Sequence, residues 1–136
     1  CLMHNRNDMN YNDFMTDMLS DLEESVNIAK KAGIADDKII LDPGVGFAKR
    51  YENNLTAIKE VRKIKKFGYP VLLATSRKSV VGLTLDTTKD ERVEGTLVTT
   101  VYGVQQGCAF VRVHDVLENM RAIRMTQAIM NECKKG

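Results

Sequence analysis

The sequence has no long apolar run, no paired-cysteine motif and no large excess of either charge, and each lack removes a class of function. Its longest unbroken apolar stretches are a few residues, far short of the roughly 20 that a membrane-spanning helix needs. The opening Cys1-Leu2-Met3-His4 has neither the cationic nor the apolar region of a secretory leader, so a cytoplasmic location is expected. Cys1, Cys108 and Cys133 form no CxxC and cannot all pair, which fits a reducing compartment better than a disulfide scaffold. A net charge of +2 does not point to nucleic acid. The seven Lys or Arg against two Glu between Lys49 and Lys66 read as the solvated face of one helix, since Tyr51 is the one aromatic residue among them and no nucleic-acid reading motif accompanies the charge.

What is present is an ordinary domain: 136 residues, 43% hydrophobic and 28% charged. Leu2-Met3 followed by His4-Asn5-Arg6 resembles the end of a strand whose beginning is missing. Without an initiator methionine, the chain is expected to be a fragment. Phe14, Met18, Leu22 and Val26 fall at intervals of four, which predicts a helix over 11–32, stopped by Gly33. Ile39-Ile40-Leu41 reads as a short buried strand ending at Asp42-Pro43-Gly44-Val45-Gly46-Phe47, where Pro and two Gly force a tight loop. Leu55, Ile58, Val61 and Ile64 predict one amphipathic helix ended by Gly68. Val71-Leu72-Leu73-Ala74 is strand-like and runs into Thr75-Ser76-Arg77-Lys78-Ser79, a cationic, hydroxyl-rich corner. A brief turn after Ser79 precedes a loop over 84–88 and a capping box of Thr88 and Glu91. The following helix is expected to bury Val93, Leu97, Val101 and Val104. In Phe110-Val111-Arg112-Val113-His114-Asp115, alternation places Arg112 and His114 on one side. Asp115 with Glu118 would cap a last helix whose apolar face is Leu117, Met120, Ile123 and Ala128.

His4 to Asp42 is 38 residues, Asp42 to Ser76 is 34 and Ser76 to His114 is 38, each interval holding one helix. This is a strand-helix unit repeated four times. Parallel strands joined by helices cross over with one hand, so their C-terminal ends share an edge. An open doubly wound sheet and part of a (β/α)8 barrel both accept the pattern. Gly44-Val45-Gly46 lacks the third glycine and the acidic residue of a dinucleotide fingerprint, which favours the barrel. A whole barrel takes about 250 residues, so 1–136 is expected to be a single half-barrel of α/β class, four consecutive strand-helix units, with its first and last strands as unpaired edges.

That edge collects Asp42, Lys78, Arg112 and His114, with Ser76, Ser79 and Phe47 around them. The set suits an anionic substrate: Arg112 offers a planar fork for phosphate oxygens, His114 a hydrogen bond or proton, and the N–H groups after Ser79 a helix start for a carboxylate or phosphate. Asp42 could accept two donors from an aminopyrimidine-like ring edge. Neither a metal-ligand spacing nor a Ser-His-Asp arrangement is evident. Each residue also has a plainer reading: Asp42 as a turn former, Arg112 as an ion-pair partner, His114 as a satisfied supporting group, Ser79 as a helix cap and Phe47 as core.

Leu2-Met3-His4-Asn5-Arg6, Ile40-Leu41-Asp42-Pro43-Gly44-Val45-Gly46-Phe47, Thr75-Ser76-Arg77-Lys78-Ser79 and Phe110 to Asp115 resemble the second half of dihydropteroate synthases, in that order and spacing. The resemblance runs nearly end to end. It implies a transferase of folate biosynthesis, a sulfonamide target, that joins para-aminobenzoate to 6-hydroxymethyl-7,8-dihydropterin pyrophosphate and releases pyrophosphate. By the same resemblance, 1–136 is the C-terminal, substrate-binding half of the pterin-binding domain, strand-helix units five to eight. Asp42 would bind the pterin and stabilise a cationic methylene, Lys78 would contact the pterin and line the aminobenzoate pocket, and Arg112 and His114 would hold pyrophosphate. Ser79 would bind the aminobenzoate carboxylate and Phe47 would border that ring. Gly46, Ser76 and Arg77 would shape the pocket, and Met3 would pack on the pterin. The resemblance further implies Mg2+ for the complete enzyme, its asparagine ligand lying outside this chain, and a homodimer or higher self-association through the last helices. It implies no nucleic-acid or membrane partner and an inactive isolated fragment. The alternative is a non-catalytic, self-associating half-barrel that binds an anion or pterin.

Overall fold

The computed structural model describes residues 1–132; Cys133 lies outside them. Four two-residue strands alternate with helices: β1 (Leu2–Met3), α1 (Phe14–Lys31), β2 (Leu41–Asp42), α2 (Tyr51–Lys59), β3 (Leu72–Leu73), α3 (Ser79–Leu85), α4 (Val93–Gln105), β4 (Phe110–Val111) and α5 (Val116–Glu132). β1 runs parallel to β2, pairing Leu2 with Leu41 and Met3 with Asp42. β3 runs parallel to β4, pairing Leu72 with Phe110 and Leu73 with Val111. A parallel bridge between Leu41 and Val71, with Leu41 N–H donating to Pro70 O at 2.9 Å, joins the two pairs in chain order. The four C-terminal strand ends therefore lie along one edge, as the repeat requires. This is half of a (β/α)8 barrel. None of the described helices is long and apolar enough to cross a membrane.

α1 forms where the four-residue apolar spacing places it. Asp13 caps it by accepting the Thr16 N–H at 2.8 Å. Met18, Leu22, Val26 and Ala29 are its buried face, packed in one cluster with Ile39, Leu41, Ile58, Val61, Ile64, Val71 and Leu73. Full burial of each large side chain contributes about 1.5–3 kcal/mol.

Several expected elements differ in detail. The stripe Leu55, Ile58, Val61, Ile64 is not one α-helix: α2 ends at Lys59, Val61–Phe67 is 3₁₀, and Leu55 is 40% exposed. The spacing of three explains this, because side chains at i and i+3 align in a helix of three residues per turn. The 3₁₀ helix stops at Gly68, in the left-handed conformation. The capping box of Thr88 and Glu91 is present, on a short 3₁₀ turn, Lys89–Glu91. α4 buries Thr96, Thr100 and Gly103, while Val93, Leu97, Val101 and Val104 are only half-buried. Its threonines are admitted because each hydroxyl is bonded: Thr96 Oγ1 accepts the Arg77 N–H, and Thr100 donates to Asn119. In α5, Leu117 and Met120 are exposed and Asn119 and Thr126 are buried. Asp115 directs its carboxylate to Arg77, so its structural role is an ion pair between loops.

Candidate active site

Asp42 ends β2 inside the protein, 5% exposed. Its Oδ1 accepts the Gly44 N–H at 2.7 Å. Burial pushes the carboxyl pKa up, opposed by that hydrogen bond and by the positive charges of Lys78, Arg112 and Lys49. The loop that follows needs glycine. Gly44 has φ +65°, and a Cβ there would lie 1.9 Å from His4 O. At Gly46 a Cβ would press on the Lys78 side chain.

Lys78 occupies the position just before α3. Its ammonium donates to Val45 O and stands 4.9 Å from the centroid of the Phe47 ring, a cation–π distance. Burial lowers the Lys78 pKa; Asp42 opposes the shift and Arg112 adds to it. Ser76, 6% exposed, fixes His114 twice: its Oγ lies 2.9 Å from His114 Nδ1 and accepts the His114 N–H at 3.1 Å. Arg112 is anchored by its N–H to Leu73 O at 3.2 Å, and its side chain is exposed. A cavity of about 220 Å³ is lined by Ala74, Ser76, Lys78, Arg112, Val113 and His114.

Lys78, Arg112, His114 and Ser76 thus meet in one cavity. Asp42 stands close enough for its charge to act on Lys78. Phe47 lies beside Lys78, Met3 lies against Gly44, and Ser79 is exposed at the first position of α3. Arg77 is turned elsewhere: its guanidinium holds Asp115 at 2.6 and 3.1 Å and Asp90 at 3.4 Å, which keeps the Asp115 carboxyl below its ordinary pKa. A larger hollow of about 580 Å³ lies between α2, α3 and α4, but Lys59 is its one charged lining residue among those described. Volume there is not matched by chemistry, so the smaller cavity is the candidate site.

The sequence missed Lys49, Asn54 and the role of His4. Lys49, expected on a solvated face, is 7% exposed; the other six basic residues of that segment are exposed. Asn54 Oδ1 accepts the Gly46 N–H at 2.6 Å. The available signal was position: Lys49 directly follows the glycine loop, before the exposed helix face begins. His4 and Arg6 turn away from the cavity toward Asp21, which Arg6 holds below the usual carboxylate pKa. Cys108 is half-buried, and burial raises its thiol pKa to about 11, which disfavours the reactive thiolate. No group of three or more His, Cys, Asp or Glu converges among the described residues. The described residues alone do not make a magnesium site.

A parallel half-barrel with cationic and carboxylate groups gathered at its C-terminal strand ends has the layout of a (β/α)8-barrel enzyme. Residues 1–114 match the family described as pterin binding enzyme, and the chain belongs to that family. It is 56% identical over 131 residues to the dihydropteroate synthase of Clostridium beijerinckii, covering 96% of this chain and 49% of the relative. To that of Bacillus subtilis it is 53% identical over 131 residues, covering 96% and 46%. Among solved structures, a Clostridium difficile dihydropteroate synthase obtained with pteroic acid superposes with a TM-score of 0.92 at 46% identity, covering 95% of this chain and 49% of that one. A Yersinia pestis dihydropteroate synthase in complex with a sulfonamide drug gives 0.93 at 33%, covering 97% and 51%. The chain spans about half the length of the curated relatives it matches.

Proposed function

We propose that this chain is the substrate-binding half of a dihydropteroate synthase. The observation that carries the reading is the convergence of Lys78, Arg112, His114 and Ser76 on one cavity beside a buried carboxylate, Asp42. Asp42 accepts the donors of the pterin's aminopyrimidine edge and stabilises positive charge on the neighbouring methylene. Arg112 and His114 take up the charge that develops on pyrophosphate as its bond to that methylene breaks. The amine of para-aminobenzoate then attacks the methylene, forming the C–N bond as pyrophosphate leaves, and gives up its proton to water. Lys78 spans both substrates, with the pterin at one side and the aminobenzoate ring, bordered by Phe47, at the other. Ser79 receives the aminobenzoate carboxylate at the start of α3, and Met3 packs on the pterin. Gly46 leaves room for the Lys78 stem. Ser76 holds His114, and Arg77 holds the loop through Asp115. Each fixed donor aimed at the leaving group is worth about 2.7–4 kcal/mol, by analogy with oxyanion holes.

The same reading places the working protein in the cytoplasm, gives the complete enzyme a magnesium ion, and makes it self-associate through α5. The test uses a complete barrel in which this chain replaces the matching half of the Bacillus subtilis relative. Such a barrel should form dihydropteroate from the pterin pyrophosphate and para-aminobenzoate. Lys78→Ala should lower its rate about 100-fold or more, and Lys63→Ala, on an exposed surface, should leave it unchanged. Equal effects would remove Lys78 from the site. The isolated chain should bind pterin or pyrophosphate weakly without turnover. Product formed by the isolated chain would show that half a site is enough.

A further inference from the structure

We infer that Lys49 is a positioning residue that holds the Gly44–Phe47 loop from behind and so sets where Lys78 and Phe47 stand, with His4 as its third acceptor. The assignment rests on the functional reading for what the site binds, and on geometry alone for how it is built. Lys49 Nζ lies 2.9 Å from Gly44 O, 3.0 Å from Phe47 O and 2.8 Å from His4 Nδ1. These partners use all three N–H groups of an ammonium. With Lys49 protonated, His4 Nδ1 is an acceptor, so Nε2 carries the proton and donates to Asp21 Oδ2 at 2.9 Å. Arg6 closes the outer end, holding Asp21 at 2.6 and 3.0 Å. His4 is 2% exposed, and its own N–H donates to Asp42 O across β1 and β2. The relay is therefore fixed to the strand that carries Asp42.

On the other side, the two carbonyls that Lys49 holds flank Val45, whose own carbonyl receives Lys78. Asn54 holds Gly46, and Tyr11 Oη donates to Ala48 O at 2.7 Å. Lys49 is not among the residues lining the cavity, so it acts through the loop and not on a ligand. A misplacement of about 1 Å can cost 100-fold in rate, which gives such a support a measurable effect.

The test is Lys49→Met in the complete barrel described above, with Lys49→Gln as the milder variant and Lys63→Met as the control. Side-chain NMR of Lys78 and of the Phe47 ring is read first, because it needs no activity. In Lys49→Met both sets of resonances should move, Lys78 toward the values of the exposed lysines, and kcat should fall by up to about 100-fold. Lys49→Gln keeps two donors and should show smaller shifts and a smaller loss. If Lys49→Met does not fold, the Lys78 and Phe47 shifts in Lys49→Gln decide. Unmoved resonances in a folded variant would overturn the assignment. A parent barrel that makes no dihydropteroate would instead count against the functional reading, and the NMR result would still judge Lys49.

Discussion

At the scale of single residues the site works against stability. Asp42 is buried as a carboxylate, and burial raises its pKa. The folded state therefore keeps this proton at a pH where the unfolded chain has released it, and stability falls as pH rises through that interval. Asp42→Asn keeps the acceptor for Gly44 N–H and removes the charge. The variant should be more stable than the parent at pH 7, with the advantage shrinking as pH falls through that interval and gone once pH is below the ordinary carboxylate pKa. Denaturation at pH 7 and at pH 3.5 checks this. In the complete barrel the same variant should lose activity by about 100-fold. A second residue shows strain without function. Ala48 has φ 47°, a conformation that disfavours a Cβ by about 1–2 kcal/mol, while glycine adds back part of that in unfolded-chain entropy. Ala48→Gly should raise stability by up to about 1 kcal/mol in thermal unfolding, with no loss of ligand binding. A drop would mean that the Ala48 methyl packs more favourably than its backbone strain costs.

At the scale of elements, buried polar pairs take the place of an apolar seam between α4 and α5. Asn119, 1% exposed, accepts from Thr100 Oγ1 at 2.7 Å and donates to Asp115 O at 2.8 Å. Asn119→Ala leaves the Thr100 hydroxyl without its acceptor and should cost about 1–3 kcal/mol. Adding Thr100→Val should recover part of that loss, read by chemical denaturation of both variants. If the double variant loses the sum of the two single losses, the pair is not coupled. This seam also marks the limit of what the sequence makes legible. α1 could be read because its apolar residues fall at intervals of four and Gly33 ends it; its start, capped by Asp13, lies at Phe14 and not at 11. α4 could not, because a helix covered on two sides has no single apolar stripe, and its buried positions are threonines made acceptable by distant partners. The candidate site divides in the same way. Asp42, Lys78, Arg112 and His114 stand just after apolar strands, so their position alone marks them. Lys49 looks like the first of seven surface cations until His4, 45 residues away, is seen as its partner.

At the scale of the whole molecule, the described residues leave apolar surface uncovered on two faces of α5. Val116, Met120 and Ile123 line a hollow of about 370 Å³ with Val111 of β4 and Val113 just beyond it. Leu117, Met125 and Ile129 are 48%, 63% and 58% exposed, spaced at eight and four residues, which sets them on one side of the helix. The first face borders β4, whose outer edge has no strand beside it among the described residues; in a closed barrel a further strand pairs there. The second face is exposed among the described residues, which leaves it available to the second copy proposed above. Under the self-association proposed above, the two faces would answer to different partners. In the complete barrel, Met125→Lys with Ile129→Lys should convert a dimer to a monomer by light scattering while the substrates still bind. Val116→Lys should instead lower the unfolding temperature and leave the mass of the folded fraction unchanged. A dimer that survives the double lysine change would place the contact on another surface, such as the Leu83 and Val98 side, where both residues are 68% exposed.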